Sequence, residues 1–289
     1  MSENRERCDV GLKKQQGIQS VKFEEPPIIC AAASVVGQKE GDGPFGDVFD
    51  QIESDPKVGG DTWEDAEGRL QERAAELAIQ KAGCGKEAIR YIVAGDLLGQ
   101  LMASSFGLAG FDKPLFGVYG ACSTMGESIG IGSMLVEGGF ADYVLAMTSS
   151  HFASAEKQFR FPLGYANQRP KASTWTVTGS GAVVICKGDQ KQGMAKITGI
   201  TTGKIVDYGV KDTMNMGACM APAAASVVAA HFKDFGTDPS EYDQIITGDL
   251  GMVGKDILID ILRSEGYDIA DRYIDCGIEI YGRDAQAQA

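Results

Sequence analysis

Cys122 stands in Val118-Tyr-Gly-Ala-Cys-Ser-Thr-Met125, where a short apolar strand gives way to a helix of small and apolar residues. Free N–H groups and the dipole at a helix N-terminus favour negative charge. They either depress a thiol pKa and make Cys122 a nucleophile, or hold the carboxylate of a bound ligand. The alternative is a cysteine that is simply small and buried. Ser123 and Thr124 either donate hydrogen bonds to a ligand or bond the first turn of their own helix. His151 follows the apolar run Tyr143–Met147 at the same edge. It is either a second pocket residue or a histidine satisfied by backbone. Lys157, Arg160, Arg169 and Lys171 form a cationic island with no acidic residue inside it. The planar fork of arginine suits a carboxylate, so Arg160 and Arg169 are candidates for neutralising one, against a plain solvated loop. Asp96 and Asp249 close two similar strings. They either face a cation such as calcium or cap the helices that follow, and capping is favoured because hard-cation sites gather several oxygens.

The elements that must carry these residues alternate. Ile28–Val36 is an apolar strand ending in a Gly-rich turn, and Trp63–Ala82 has apolar residues at helical spacing, closed by Gly83-Cys84-Gly85. Tyr91–Ala94, Leu115–Tyr119, Tyr143–Met147 and Ala182–Cys186 read as strands, and Ser123–Glu137 as a buried helix. Strands alternating with helices indicate an α/β layered fold. Trp63 and Trp175 are expected to pack.

The string Tyr91-Ile-Val-Ala-Gly-Asp-Leu97 returns as Gln244-Ile-Ile-Thr-Gly-Asp-Leu250, each time after a helix-like stretch (74–82, 224–232) and a short connector. Cys122 and Cys276 follow the two copies at similar distances. The shared order of elements indicates duplication. The expected organisation is a first half over residues 1–190, with a flexible arm at 1–18, and a second half over 191–289. Far fewer residues follow the second copy than the first, so the second half is expected to be incomplete at its C-terminal end.

Charge narrows the function. Lys and Arg total 27 against 40 Asp and Glu, for a net charge of -13. A uniformly acidic surface argues against broad nucleic-acid binding and against docking on anionic lipid. No stretch reaches the roughly 18 to 20 apolar residues of a membrane span, and the polar N-terminus has no signal core, so a cytosolic chain without direct membrane insertion is expected. Seven cysteines without a Cys-x-x-Cys pair, and two histidines, argue for reduced thiols and against a zinc site.

Gly120-Ala-Cys-Ser123 at a helix start resembles the nucleophile elbow of the thiolase and ketoacyl-synthase superfamily. Val177-Thr-Gly-Ser-Gly-Ala-Val-Val-Ile185 looks like that superfamily's glycine motif before a core strand. The resemblance implies a five-layered α-β-α-β-α sandwich of two pseudo-symmetric halves. Within it the chain is similar to the stage V sporulation protein AD family of endospore-forming bacteria. Gly41-Asp-Gly-Pro-Phe-Gly46, Phe116–Thr124, Thr148-Ser-Ser-His-Phe-Ala153, Glu156–Pro162, Asn215–Pro222 and Asp275–Tyr281 carry this, over about 17–281.

That resemblance implies a non-enzymatic, dipicolinate-binding component of a spore inner-membrane assembly. It would act in dipicolinate uptake into the developing spore and release in germination. It implies peripheral attachment through other channel subunits, a homodimer, and no cofactor, with calcium as a companion of the ligand. The ligand set expected is Cys122, Ser123, Thr124, His151, Arg160, Arg169 and Asp96. The alternative is an acyltransferase with Cys122 as nucleophile. Condensing enzymes of the superfamily use histidine, and often asparagine, from the second half to move protons. Here the corresponding string reads Thr247-Gly248-Asp249, and no histidine follows position 231.

Overall fold

The computed structural model describes residues 14–159, 172–188, 193–212 and 214–282. The N-terminal strands β1 (Gln15–Gln16) and β2 (Ser20–Lys22) pair antiparallel. Strand β3 (Ile28–Gly37) leads to the one-turn helix α1 (Gln38–Gly41) and to β4 (Gln51–Glu53). Helix α2 (Trp63–Ala82) has the bounds its apolar spacing predicts. Thr62 caps it by accepting from the Asp65 N–H, and Gly83 ends it in the left-handed conformation.

Next come β5 (Ile89–Gly95), α3 (Met102–Gly107) and β6 (Leu115–Gly117). They are followed by α4 (Thr124–Glu137), β7 (Tyr143–Ser150), α5 (Phe152–Phe159) and β8 (Gly179–Cys186). Strands β9 (Ala195–Lys196) and β10 (Gly199–Thr201) connect to α6 (Met216–Phe235). The chain continues through β11 (Ile245–Thr247), α7 (Gly251–Ser264), β12 (Tyr273–Asp275) and α8 (Cys276–Tyr281).

One mixed sheet has the order β4-β3-β8-β7-β5-β6, with β9 on β3. Strands β7, β5 and β6 are parallel, and β8 is antiparallel to both its neighbours. Alternation along the strands divides the sheet into two apolar faces. Ala33, Val35, Ile92, Ala94, Leu145, Met147 and Val184 pack against Leu70, Ala74 and Ala78 of α2. Their neighbours Val93, Val144, Ala146, Val183 and Ile185 pack against Ile129, Leu135 and Val136 of α4 on the other face. A third cluster joins α6 and α7 to β11 and β12. Two helices, a sheet, the central helix α4, a second parallel sheet and two further helices make the layered α-β-α-β-α sandwich.

The repeat is visible in the strand pairing. In the first half Val93 and Ala94 sit beside Phe116 and Gly117. In the second, Ile246 and Thr247 sit beside Ile274 and Asp275, also parallel. Each second strand delivers its cysteine, Cys122 or Cys276, at a helix start.

Of the span expected as an arm, Gln15 and Gln16 form β1, and Gln16 Nε2 donates to Asp234 O on α6 at 2.7 Å. The Asp234 carboxylate accepts from the N–H groups of Ile18 (2.9 Å) and Gln19 (3.0 Å) and from Ser20 Oγ (2.8 Å). These donors hold Asp234 below the usual carboxylate range, the Ile18 N–H foremost.

Candidate functional site

The C-terminal ends of parallel strands β5, β6 and β7 open onto one cleft, the position where ligands gather in α/β sheets. The cavity there is about 760 Å³. Its first-half wall includes Cys122, Thr148, Ser149, Ser180 and Gly181. Its second-half wall includes Met216, Met220, Asp249, Cys276 and Ile280.

Cys122 reaches the cavity through a sharp turn. Ala121 has a φ of 49°, a left-handed conformation that a residue with a Cβ adopts only when its surroundings hold it there. Gly120 must be glycine: a Cβ would sit 2.1 Å from Glu127 Oε1 and 2.3 Å from Ser123 Oγ. The strand-to-helix elbow expected from the sequence is therefore present. The thiol is 3.9 Å from Met220 Sδ across the cavity.

Its electrostatics differ from the expectation. Enclosure by protein pushes the Cys122 thiol up to about 11, and the Asp249 carboxyl adds to the rise. Both effects favour the neutral thiol over the thiolate.

Ser123 and Thr124 work locally. Ser123 Oγ donates to Gly120 O at 2.8 Å and to Glu127 of its own helix. Thr124 is fully buried and its Oγ1 accepts from the Gly120 N–H at 3.3 Å. His151 is also in a structural setting. It is 3% exposed, its Nε2 lies 2.8 Å from Pro56 O, and its Nδ1 accepts from the Ala153 N–H at 3.1 Å. With Trp63 against the ring, burial lowers its pKa. A histidine that is neutral and bonded at both nitrogens has nothing left for a ligand.

The two strand-end aspartates have diverged. Asp96 is fully buried and accepts from the Leu98 N–H (2.9 Å), the Ser104 N–H (2.8 Å) and Ser104 Oγ (2.5 Å), so it fixes the β5–α3 loop, as the capping reading expects. Asp249 does not cap. That role falls to Asp275, which accepts from the N–H groups of Leu250 (2.8 Å), Gly251 (3.2 Å) and Ile278 (3.0 Å). Asp249 lines the cavity instead, and burial pushes it up to about 7, with Asp275 and Glu156 adding repulsion.

Arg160, Arg169 and Lys171 lie outside the described residues. Gln158, Phe159 and Thr174, on either side of that span, line the cavity. Lys157 is paired with Glu64. Among the described residues, no group of three or more His, Cys, Asp and Glu side chains is placed to hold a metal ion.

Of the ligand set read from the sequence, the structure brings Cys122 to the cavity and assigns Ser123, Thr124, His151 and Asp96 to local bonding. Asp249, which the sequence places where condensing enzymes of the superfamily carry a histidine, lines the cavity; sequence reasoning missed Ser149, Ser180, Met220 and Cys276. The repeat carried a usable signal for Cys276, since a duplicated elbow places a second cysteine opposite the first.

Comparison with known proteins agrees with this arrangement. The family described as stage V sporulation protein AD matches residues 17–289. The stage V sporulation protein AD of Bacillus subtilis (strain 168) is 44% identical over 276 residues, which covers 96% of this chain and 81% of that protein. Among solved structures, cerulenin-bound OleA of Xanthomonas campestris superposes with a TM-score of 0.60 at 14% identity, covering 92% of this chain and 87% of that one. The FabH 3-oxoacyl-(acyl carrier protein) synthase III of Xanthomonas oryzae pv. oryzae gives a TM-score of 0.57 at 18% identity, covering 88% and 85%. At such identities these structures establish the thiolase-like fold alone. The chain belongs to the stage V sporulation protein AD family.

Proposed function

We propose that this sporulation protein binds dipicolinate without turning it over. In this reading it is the peripheral, ligand-binding component of a spore inner-membrane assembly that moves dipicolinate in spore formation and germination. The observation that carries the reading is the cavity lining: Cys122 and Asp249 share it, and no histidine, lysine or arginine stands among the described lining residues. Acyl transfer needs a thiolate and a donor that stabilises a developing oxyanion. A neutral thiol does not attack, and no histidine stands among the described residues lining the cavity to take its proton.

A receptor needs neither. At neutral pH a large share of Asp249 is protonated and donates to a ligand carboxylate. Thr148 and Thr176 stand on the same walls. Arg160 or Arg169, in the span whose flanks line the cavity, supplies the compensating charge.

No helix among the described residues is long and apolar enough to cross a membrane, which suits attachment through other subunits. The edge strand β6, with Leu115 and Phe116 exposed, is the proposed pairing edge of a homodimer. Calorimetric titration tests the reading: dipicolinate gives saturable binding and benzoate does not. Equal heats for both, or none for dipicolinate, overturn it.

A second reading has one observation in its favour. Val36, Phe49, Leu97, Phe159 and Met216 make the cavity walls largely apolar, as an acyl chain would require. In that case Cys122 is the nucleophile of an acyltransferase. Incubation with acyl-CoA and mass spectrometry decides it: an adduct on Cys122 that turns over supports the enzyme, and an unmodified chain removes it.

A further inference from the structure

Gly181 lies inside β8, an interior strand of the mixed sheet, where glycine weakens the ladder relative to alanine. The usual structural reasons for such a glycine are missing. Its φ is not positive, so the backbone there admits any residue. The pairing of β8 with β7 runs without a shift of register, so there is no bulge. A Cβ placed on Gly181 would meet nothing within 4 Å, so no neighbour requires its absence. Gly179, two residues earlier, is a contrast: its Cβ would stand 3.1 Å from Val35 O and from Val36 Cγ1. A strand glycine also marks a place where a ligand approaches the backbone, and for Gly181 that reason remains.

Alternation along the strands fixes which way Gly181 faces. On β8, Ala182 and Val184 belong to the α2 side of the sheet, and Val183 and Ile185 to the α4 side. Gly181 shares the face of Val183, lines the cavity, and is the one residue of β8 that is not buried. Pairing places Ser34 of β3 and Thr148 of β7 directly beside it. These two follow Ala32 and Ala146 on the α4 side of their strands, and both are half-buried and line the cavity.

The result is a row across β3, β8 and β7 whose middle position has no side chain. Ser34 and Thr148 are two strand spacings apart, about 10 Å. Between them the cavity floor is the bare peptide of β8. Peptide units are planar, and those of a strand lie near the plane of the sheet because their N–H and C=O groups point to the neighbouring strands. A flat ring laid parallel to the sheet meets this floor with its whole face, and dispersion adds over many atom pairs. A puckered ring touches it at few points. Ser34 Oγ accepts from the Asp50 N–H at 3.3 Å and Thr148 Oγ1 donates to Gly95 O at 3.2 Å, so both hydroxyls are engaged by the protein and the two side chains act as the edges of a slot.

We infer that Gly181 is a specificity-determining residue of the cavity: its missing side chain opens a slot between Ser34 and Thr148 that takes a planar ring against the backbone of β8 and disfavours a thicker one. The inference deepens the proposal that the cavity binds dipicolinate, and rests on it.

The test is calorimetric titration of the native chain, Gly181→Ala and Gly181→Val, with thermal unfolding of each. Two ligands are compared: dipicolinate, whose ring is flat, and cis-cyclohexane-1,3-dicarboxylate, which carries two carboxylates in the same relation on a puckered ring. The native chain should bind dipicolinate about tenfold more tightly than the puckered ligand, or better. Gly181→Ala should weaken dipicolinate about tenfold and shrink that preference, since its methyl lifts the flat ring off the floor. Gly181→Val should abolish dipicolinate binding. Both variants should unfold at the native temperature or above it, because a side chain returns to a strand interior that has space for it. Native-strength dipicolinate binding by both variants, or a preference that Gly181→Ala leaves unchanged, overturns this inference and leaves dipicolinate binding intact. A lower unfolding temperature in Gly181→Ala would show that packing requires the glycine, and overturns it as well. Absence of dipicolinate binding by the native chain overturns both. If Gly181→Val does not fold, Gly181→Ala decides alone.

Discussion

Asp96 and Asp249 end the two copies of one strand, and their environments are opposite. Asp96 is buried among three donors and holds a loop in place. Asp249 faces the cavity with its capping duty transferred to Asp275. A duplicated fold thus keeps one copy of a residue for structure and frees the other for chemistry. The same division separates the two walls: the first half contributes the elbow and hydroxyls, the second an acid, methionines and a second thiol.

The comparison breaks most readily at Asp96. Asp96→Ala leaves the Leu98 and Ser104 donors unsatisfied in the core, and should cost about 3 kcal/mol or more in denaturant unfolding. A loss below about 1 kcal/mol would mean that the loop is held by something else. Asp275→Ala, which uncaps α7 and α8 together, should cost about 2 kcal/mol by the same measurement.

Asp249→Asn should act in the opposite direction. The folded state raises this carboxyl from its ordinary value to about 7. The folded chain therefore binds the proton more tightly than the unfolded chain does, and stability falls as pH rises from about 4 through 7. The asparagine variant should lose this part of the fall, and be about 1 kcal/mol more stable than the native chain at pH 8, once solvent in the cavity is allowed for. Equal pH slopes in the two proteins would show that Asp249 is not strained. The smallest effect is on Cys122. With the thiol near 11, only about one molecule in a thousand is thiolate at pH 8, and alkylation by iodoacetamide is slow. Asp249→Asn removes one of the two causes and should speed it several-fold, as peptide mass spectrometry can follow.

Much of the fold was legible because it rests on local patterns. The apolar spacing and caps of α2 gave both its ends. The glycines around Cys122 marked the elbow, and the repeated string marked β11 as the counterpart of β5. The site was less legible, since its chemistry depends on what each group meets across the fold. His151 has the type and position of a pocket residue, and only Pro56 and Trp63, distant in sequence, show that it is committed. The sequence offers Asp249 both as a copy of Asp96 and as the residue standing where relatives of the superfamily carry a histidine, and only the structure, by giving the cap to Asp275, decides between them.

The central claim is that the cavity between the two halves is a receptor. The most direct test is dipicolinate titration of Cys122→Trp, whose indole would project from the elbow into the cavity, beside the native chain, with thermal unfolding to confirm that both are folded. The account predicts one saturable site in the native chain and its loss in the variant. Undiminished dipicolinate binding by a folded Cys122→Trp would place the ligand elsewhere and contradict it.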